Sequence, residues 1–345
     1  MRVFYYAVTS NFGDHMNSWL WPRLIPELLA QKSNDVLIGI GSLIQADVGK
    51  LQGNKIVFGT GSGYGPMPLP SEVRDWRVYC VRGPLSARML GLPAEKAVVD
   101  GAWLVDSLPE FRFRERERRG TVFVPHWTTD LYANWRQPCR EAGIRYVSPF
   151  LDGAAVLDSI AGAELAIVES LHGAIMADYY RVPWIPVATG ERVLSFKWLD
   201  FCLSLGLRFR PIHLPITDSI ERAIVPAPED EWSSGVRYMP EAVEADFAEV
   251  PRARHTPVSW QYRMKVKAKA LARPARTGAW RAINALRETA PLRAAFRPRS
   301  QALADLLQAI AQEPSLLSSD SLRERKLEQL TQCLEQFRSD FGVRS

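Results

Sequence analysis

The stretch ELAIVESLHGAIMADYYRVPWIPV, residues 164–187, carries the pattern that the rest of the chain repeats. Leu165–Val168 is a short apolar run of the kind a buried parallel strand needs. It stops at Glu169-Ser170-Leu171-His172-Gly173, after which Ala174–Tyr180 has helical spacing and Pro183–Val187 opens another apolar run. Polar, titratable side chains are thereby set at the carboxyl end of a strand and the first turn of a helix. Ligands of open α/β sheets bind at that edge. The free N–H groups and dipole of a helix N-terminus favour an anion there. Gly173 lacks a side chain where a ligand would approach closely.

Upstream the same alternation of strand, glycine or polar loop, and helix recurs. Val3–Val8 reads as a strand, Ser10–Asn17 as a loop, and Ser18–Ala30 as a helix capped by Asn17 or Ser18, with Pro22 in its first turn. Asp35–Ile40 ends at Gly39-Ile40-Gly41-Ser42, Lys55–Phe58 at Gly59-Thr60-Gly61-Ser62-Gly63-Tyr64-Gly65, Arg77–Val81 at Arg82-Gly83-Pro84, and Ala97–Val99 at Asp100-Gly101-Ala102. Phe111–Gly120 (FRFRERERRG) interrupts the pattern with charge, and Thr121 resumes it. Such grammar predicts an α/β chain with two Rossmann-like domains facing a cleft, residues 1–115 and 120–225. Residues 226–345 are expected to form a surface-wrapping and basic helical extension.

At 345 residues, two domains are the better expectation. No apolar run is long enough for a membrane-spanning helix, and the N-terminus reads as a first strand rather than an export signal, so a cytoplasmic location is expected. Cys80, Cys139, Cys202 and Cys333 form no CxxC pair, and the five histidines form no HExxH or HxH, so buried thiols and no metal are expected. The net charge of +5 is unevenly placed. Residues 252–299 hold thirteen Lys or Arg against one acid, Glu288, so this segment carries +12 and the remainder −7.

Several loop residues have chemistry to offer. The alternating glycines Gly59, Gly61, Gly63 and Gly65 match neither a Walker A loop nor a GxGxxG fingerprint; they read as a phosphate cradle or as a turn lining a cleft. Arg82 has the planar fork that pairs with carboxylate or phosphate. His172, with an ordinary pKa near 6.5, suits proton transfer or phosphate binding, and Glu169 either orients it or is solvated. Asp14 and Asp100 are strand-end carboxylates with either turn or chemical roles, and Lys197 lies on a helix that leaves it facing solvent or the site. Ser170 and His172 are too close in sequence, and lack a GxSxG elbow, for a serine hydrolase.

Together these pieces resemble the polysaccharide pyruvyl transferase family, in particular the bacterial exopolysaccharide members of succinoglycan or xanthan type. The resemblance rests on Asn11-Phe12-Gly13-Asp14 with Asn17 and Trp19-Leu20-Trp21, Gly39-Ile40-Gly41-Ser42, Gly59-Thr60-Gly61-Ser62-Gly63, Val81-Arg82-Gly83, Val99-Asp100-Gly101-Ala102, Ser170-Leu171-His172-Gly173 and Lys197-Trp198. It covers about residues 1–215. It implies a GT-B-like fold, phosphoenolpyruvate as donor substrate with no cofactor, and a sugar hydroxyl pair as acceptor on a lipid-linked repeat unit. It further implies that Arg82 and His172 bind the donor, with Asn11, Gly61, Ser62, Gly63, Ser170, Gly173 and Lys197 around it. Asp14 or Asp100 would serve at the acceptor.

The family does not account for the basic segment. Trp260, Met264, Leu271, Trp280, Ile283 and Leu286 offer an apolar side to its Lys and Arg, as a peripheral helix on an anionic membrane surface would. Two rivals share some of these features. A GT-B glycosyltransferase would release a nucleotide, whereas a basic nucleic-acid binder would shift DNA in a salt-dependent way. Confinement of the charge to one tail argues against nucleic acid as a partner.

Overall fold

The computed structural model describes residues 1–6, 11–63, 67–68, 70–189, 195–218, 220–221, 264 and 278–343. A first sheet is built from β1 (Arg2–Phe4), helices α1 (Phe12–Leu24) and α2 (Pro26–Ala30), β2 (Asp35–Ile38), α3 (Ala46–Gly49), β3 (Asn54–Phe58), α4 (Pro70–Val73), β4 (Arg77–Cys80) and α5 (Pro84–Met89). Its four strands lie in the order β1-β2-β3-β4, all parallel, with Val3 opposite Leu37 and Leu37 opposite Ile56. A second unit follows with β5 (Thr121–Val124), α6 (Trp127–Tyr132), α7 (Arg136–Ala142), β6 (Arg145–Tyr146), α8 (Gly153–Ala161), β7 (Leu165–Val168), α9 (Leu171–Tyr179), β8 (Trp184–Thr189), α10 (Ser195–Ser204) and β9 (Ile212–Leu214). These strands are also parallel, in the order β6-β5-β7-β8-β9. The chain is thus a mixed α/β protein with two parallel-sheet cores.

The second sheet shows why its strands read as continuous apolar runs. Val122, Val124, Ala166 and Val168 face one hydrophobic cluster, and the intervening Phe123 and Ile167 face another. Both faces of a parallel sheet are covered, so alternation disappears from the sequence. The first of those clusters continues across the faces of both sheets and includes Trp21, Phe58, Trp103 and Tyr179. Trp103 Nε1 donates to Ile175 O at 3.0 Å, which ties the 3-10 segment Gly101–Ser107 to α9. The charged connection after Phe111 is fastened to the end of the same helix: Tyr179 Oη accepts from Phe113 N, and Tyr180 Oη donates to Phe111 O.

Three local expectations need correction. Helix α1 begins at Phe12, not Ser18, because Asn11 Oδ1 accepts the Asp14 N–H and caps it. Pro22 therefore lies near the end of that helix. Ala97–Val99 makes only a single bridge, Val81 with Ala97, instead of a strand. The third correction concerns the C-terminal region. Helices α11 (Ala290–Ile310) and α12 (Asp320–Asp340) are parts of the two cores rather than a surface wrap. Helix α11 sets Leu303, Leu307 and Ile310 against α7 and the second sheet. Helix α12 returns to the first sheet, where the Phe337 ring lies 5.0 Å from Tyr79 and 6.0 Å from Phe58. Both helices carry apolar residues at helical spacing, so each has a face that must be covered.

The basic segment is divided by this packing. Trp280 is 5% exposed and stands edge-on to Tyr132, and Arg287 forms a buried ion pair with Asp218 at 2.8 Å. Neither can face a membrane. Leu286 and Met264 are exposed, Ile283 is half-buried, and Trp260 and Leu271 lie outside the described residues. Among the described residues no helix is long and apolar enough to cross a membrane.

Candidate functional site

The loops and helix starts beyond the strands of the first sheet bring Asn11, Asp14, Ser42, Ser62, Arg82 and Asp100 toward one region, and α9 and α10 bring His172, Lys197 and Asp200 to the same place. Each arrives for a local reason. Asp14 sits in the first turn of α1, and Asn11 Nδ2 donates to its Oδ2 at 2.7 Å. The buried amide of Asn17 holds α1 to the end of β2: Oδ1 accepts from Ile40 N, and Nδ2 donates to Ile40 O. Ser170 caps α9 through its Oγ, which accepts from Gly173 N. His172 follows in the first turn.

His172 crosses to the other unit. Its ring is edge-on to Phe12, and a Cβ placed on Gly13 would overlap it. Nε2 is buried with no hydrogen-bond partner among the described residues. Burial, then the Lys197 ammonium and the Arg82 guanidinium, push its pKa down to about 3. The ring is consequently neutral at pH 7. The expectation of an ordinary, readily protonated histidine is corrected by these surroundings.

Arg82 is wholly buried, and its fork is already engaged. Nε donates to Asp200 Oδ2 at 3.1 Å, Nη1 to Gly41 O and Ser42 Oγ, and Nη2 to Ser62 O. Asp200 in turn accepts from the backbone N–H and hydroxyl of Ser86. This arginine therefore organises the glycine loops and presents charge to the site through its field; it is not an open fork for a ligand. Gly61 makes room for the guanidinium and Gly59, at φ +71, for Gly101, so those two glycines admit the protein's own groups. Ser62 is equally occupied, its N–H and hydroxyl bonded to Ser86 Oγ and Met67 Sδ. Gly63 is buried, while Tyr64 and Gly65 lie outside the described residues. Gly173 also differs from expectation, since its missing Cβ leaves space for the Val124 side chain.

Asp100 caps the 3-10 segment through Oδ1, which accepts from Ala102 N at 3.0 Å. Its Oδ2 is buried without a partner among the described residues. Burial raises this carboxyl to about 7, against the lowering by Arg82 and the Ala102 N–H and with help from Asp200 and Asp14. Glu169 does not orient His172. Its carboxylate accepts from His126 N, Thr189 N and the Thr189 hydroxyl, joining the ends of β5, β7 and β8. Lys197 is turned inward and almost fully buried. Among the described residues no His, Cys, Asp and Glu cluster could hold a metal ion.

No family model matches the chain, and no solved structure matches it. The succinoglycan biosynthesis protein ExoV of Rhizobium meliloti (strain 1021) is 36% identical over 226 residues, which cover 65% of this chain and 71% of that protein. The chain belongs to the polysaccharide pyruvyl transferase family. It is an enzyme of that class.

In this pyruvyl transferase the sequence motifs converge, yet several residues that hold the site together are not among those singled out. Asp200 is the clearest. Its signal was present: an acid inside SFKWLDFCLS, a helix otherwise buried almost throughout, needs an internal partner. Gly13 is another. Gly13→Ala should leave α1 intact, since alanine favours helix by about 1 kcal/mol over glycine, but should push the His172 ring aside. A displacement of about 1 Å costs on the order of 100-fold in rate, so kcat/KM should fall by about that factor, while the stability read from a melt should fall by no more than the roughly 1–3 kcal/mol that overpacking costs.

Asp100 gives a test that depends on pH. Its folded pKa is raised, so between about pH 4 and pH 7 the unfolded chain releases a proton that the folded chain keeps. This term weakens folding as pH rises through that window and is constant above it. Asp100→Asn retains the Ala102 contact and removes the ionisation. Urea melts should show the variant gaining on the parent at pH 8 relative to pH 5; an equal difference at both would place the carboxyl in an ordinary environment.

Proposed function

We propose that the enzyme transfers pyruvate from phosphoenolpyruvate to two hydroxyls of a sugar in a lipid-linked exopolysaccharide repeat unit, forming a cyclic ketal and releasing phosphate. The likeness to a succinoglycan biosynthesis protein supports the exopolysaccharide setting. The observation that carries the reading is the buried Nε2 of His172 at the first turn of α9, which has no hydrogen-bond partner among the described residues and lies in the field of Lys197 and Arg82. Such a position suits a compact anion: helix N–H groups, a neutral ring nitrogen and two cations, without bulk water. In the proposed architecture the two parallel-sheet units, 1–115 and 120–225, are Rossmann-like domains of GT-B type that meet around this site.

In the proposed reaction the methylene carbon of the donor takes a proton and becomes the methyl group. The first sugar hydroxyl adds to the resulting oxocarbenium-like carbon and gives up its proton. Phosphate then leaves as the second hydroxyl closes the ring and passes its proton to the departing phosphate. His172 and Lys197 hold the phosphate, and Arg82 supports the charge from behind the glycine loops. Asp100, part protonated near neutrality, and Asp14 share the acid and base steps. A bound phosphate also supplies the counter-charge that His172 lacks, so donor binding should raise its proton affinity.

Incubation with phosphoenolpyruvate and the lipid-linked acceptor, followed for phosphate release and a pyruvyl mass gain together, tests the reading. Nucleotide release from a sugar donor instead would establish a glycosyltransferase. The basic segment 252–299 is proposed to rest on an anionic membrane surface through its exposed members, Arg281, Arg293 and Arg297 among those described. Flotation with anionic liposomes but not neutral ones is the expected result; equal binding to both, or to neither, would remove this part of the proposal.

A further inference from the structure

Two cysteines stand where the C-terminal helix meets the first sheet. Cys80 is the last residue of β4, two positions before Arg82, and Cys333 lies on α12. Cα atoms of these two elements come within 8 Å of each other. Cys333 Sγ donates to Tyr79 O at 3.8 Å, and that carbonyl is bonded to the Cys80 amide nitrogen, so the Cys333 sulfur stands beside the Cys80 backbone. Cys80 is fully buried and Cys333 is partly exposed. Nothing in the proposed reaction uses either sulfur.

We infer that Cys80 and Cys333 form an oxidant-made disulfide that fastens α12 to β4. The chemistry needs one accessible thiol to meet the oxidant and one sheltered thiol to resolve it. Cys333 has the first role. The hydrogen bond from Cys80 and the nearby Lys96 ammonium hold its pKa below the usual thiol range, against the opposing effect of burial. Burial, followed by the effect of Cys333, holds Cys80 well above that range, so it stays a thiol and is not attacked first.

With a peroxide as oxidant the steps balance. The Cys333 thiolate sulfur takes one oxygen from hydrogen peroxide, breaking the O–O bond, and hydroxide leaves with a proton as water. The Cys80 sulfur then displaces the sulfenic hydroxyl, its proton leaving with that oxygen as a second water. Two thiols are oxidised by two electrons, and one peroxide is reduced to two waters. A disulfide needs its two Cα atoms within about 7 Å of each other, and the strand and helix that carry the two cysteines are packed directly together. The closed bond would join residues 80 and 333 of the 345, fixing α12 beside the strand that delivers Arg82.

The test is a peptide map of the full-length protein after brief treatment with hydrogen peroxide, with free thiols alkylated after denaturation. The expected result is a Cys80–Cys333 linked pair lighter by two hydrogens, with two of the four thiols lost and Cys139 and Cys202 recovered alkylated. In Cys333→Ser, Cys80 should remain a free thiol at the same dose. The wild-type map needs no variant to fold. Three outcomes would overturn the inference: Cys333 over-oxidised with Cys80 recovered free, a Cys333–Cys333 link between copies, or oxidation of Cys80 in Cys333→Ser.

Discussion

His172→Ala is expected to lower transfer from phosphoenolpyruvate by about 100- to 1,000-fold, the range for losing one positioned charge-stabilising contact. The melt should shift little. The substitution takes a buried nitrogen that has no hydrogen-bond partner among the described residues, so the loss of packing against Phe12 is offset by relief of desolvation. A second signature follows from the low pKa. An empty site keeps the ring neutral, whereas a bound phosphate favours its imidazolium. Donor binding by the parent should take up a proton near neutral pH, and calorimetry in buffers of different ionisation enthalpy would read it. His172→Ala should lose that uptake. A variant retaining near-parental rates would remove His172 from the site.

Arg82→Ala should act chiefly on folding. The arginine and Asp200 are both wholly buried, and removing one partner of such a pair costs about 3–5 kcal/mol. Gly41 O, Ser42 Oγ and Ser62 O lose their donor at the same time. A marginally stable protein loses much of its folding free energy at that magnitude. Urea unfolding should show the loss, and Arg82→Met combined with Asp200→Leu should recover part of it, because no uncompensated charge is then buried. Activity should remain absent in the double variant. A stable, inactive Arg82→Ala would instead make this arginine a direct donor contact.

These two residues also show what could be read from the sequence and what could not. Strand-end positions were legible because parallel strands buried on both faces leave unbroken apolar runs, and the loop that follows each run lies on the ligand edge. The motifs around Asp14, Arg82, Asp100, His172 and Lys197 do come together. Their roles were not legible, because a role depends on neighbours far away in the chain. Arg82 looks like an open fork until Asp200, 118 residues later, is seen to occupy it. Gly173 and Gly61 look like space for a ligand until Val124 and Arg82 are seen to fill it. Trp280 looked available to a membrane because Tyr132, which covers it, gives no sign in the local pattern.

The return of α12 to the first sheet has a consequence for how the chain is made. Tyr79 Oη donates to Asp340 across 261 residues, and Leu330, Leu334 and Phe337 are buried in the same cluster as Phe58. As the ribosome releases the N-terminal strands, that hydrophobic face stays uncovered until α12 emerges. Ribosome-bound chains stopped before residue 320 should therefore bind holdase chaperones and yield to protease within residues 1–110, while chains that include α12 should not.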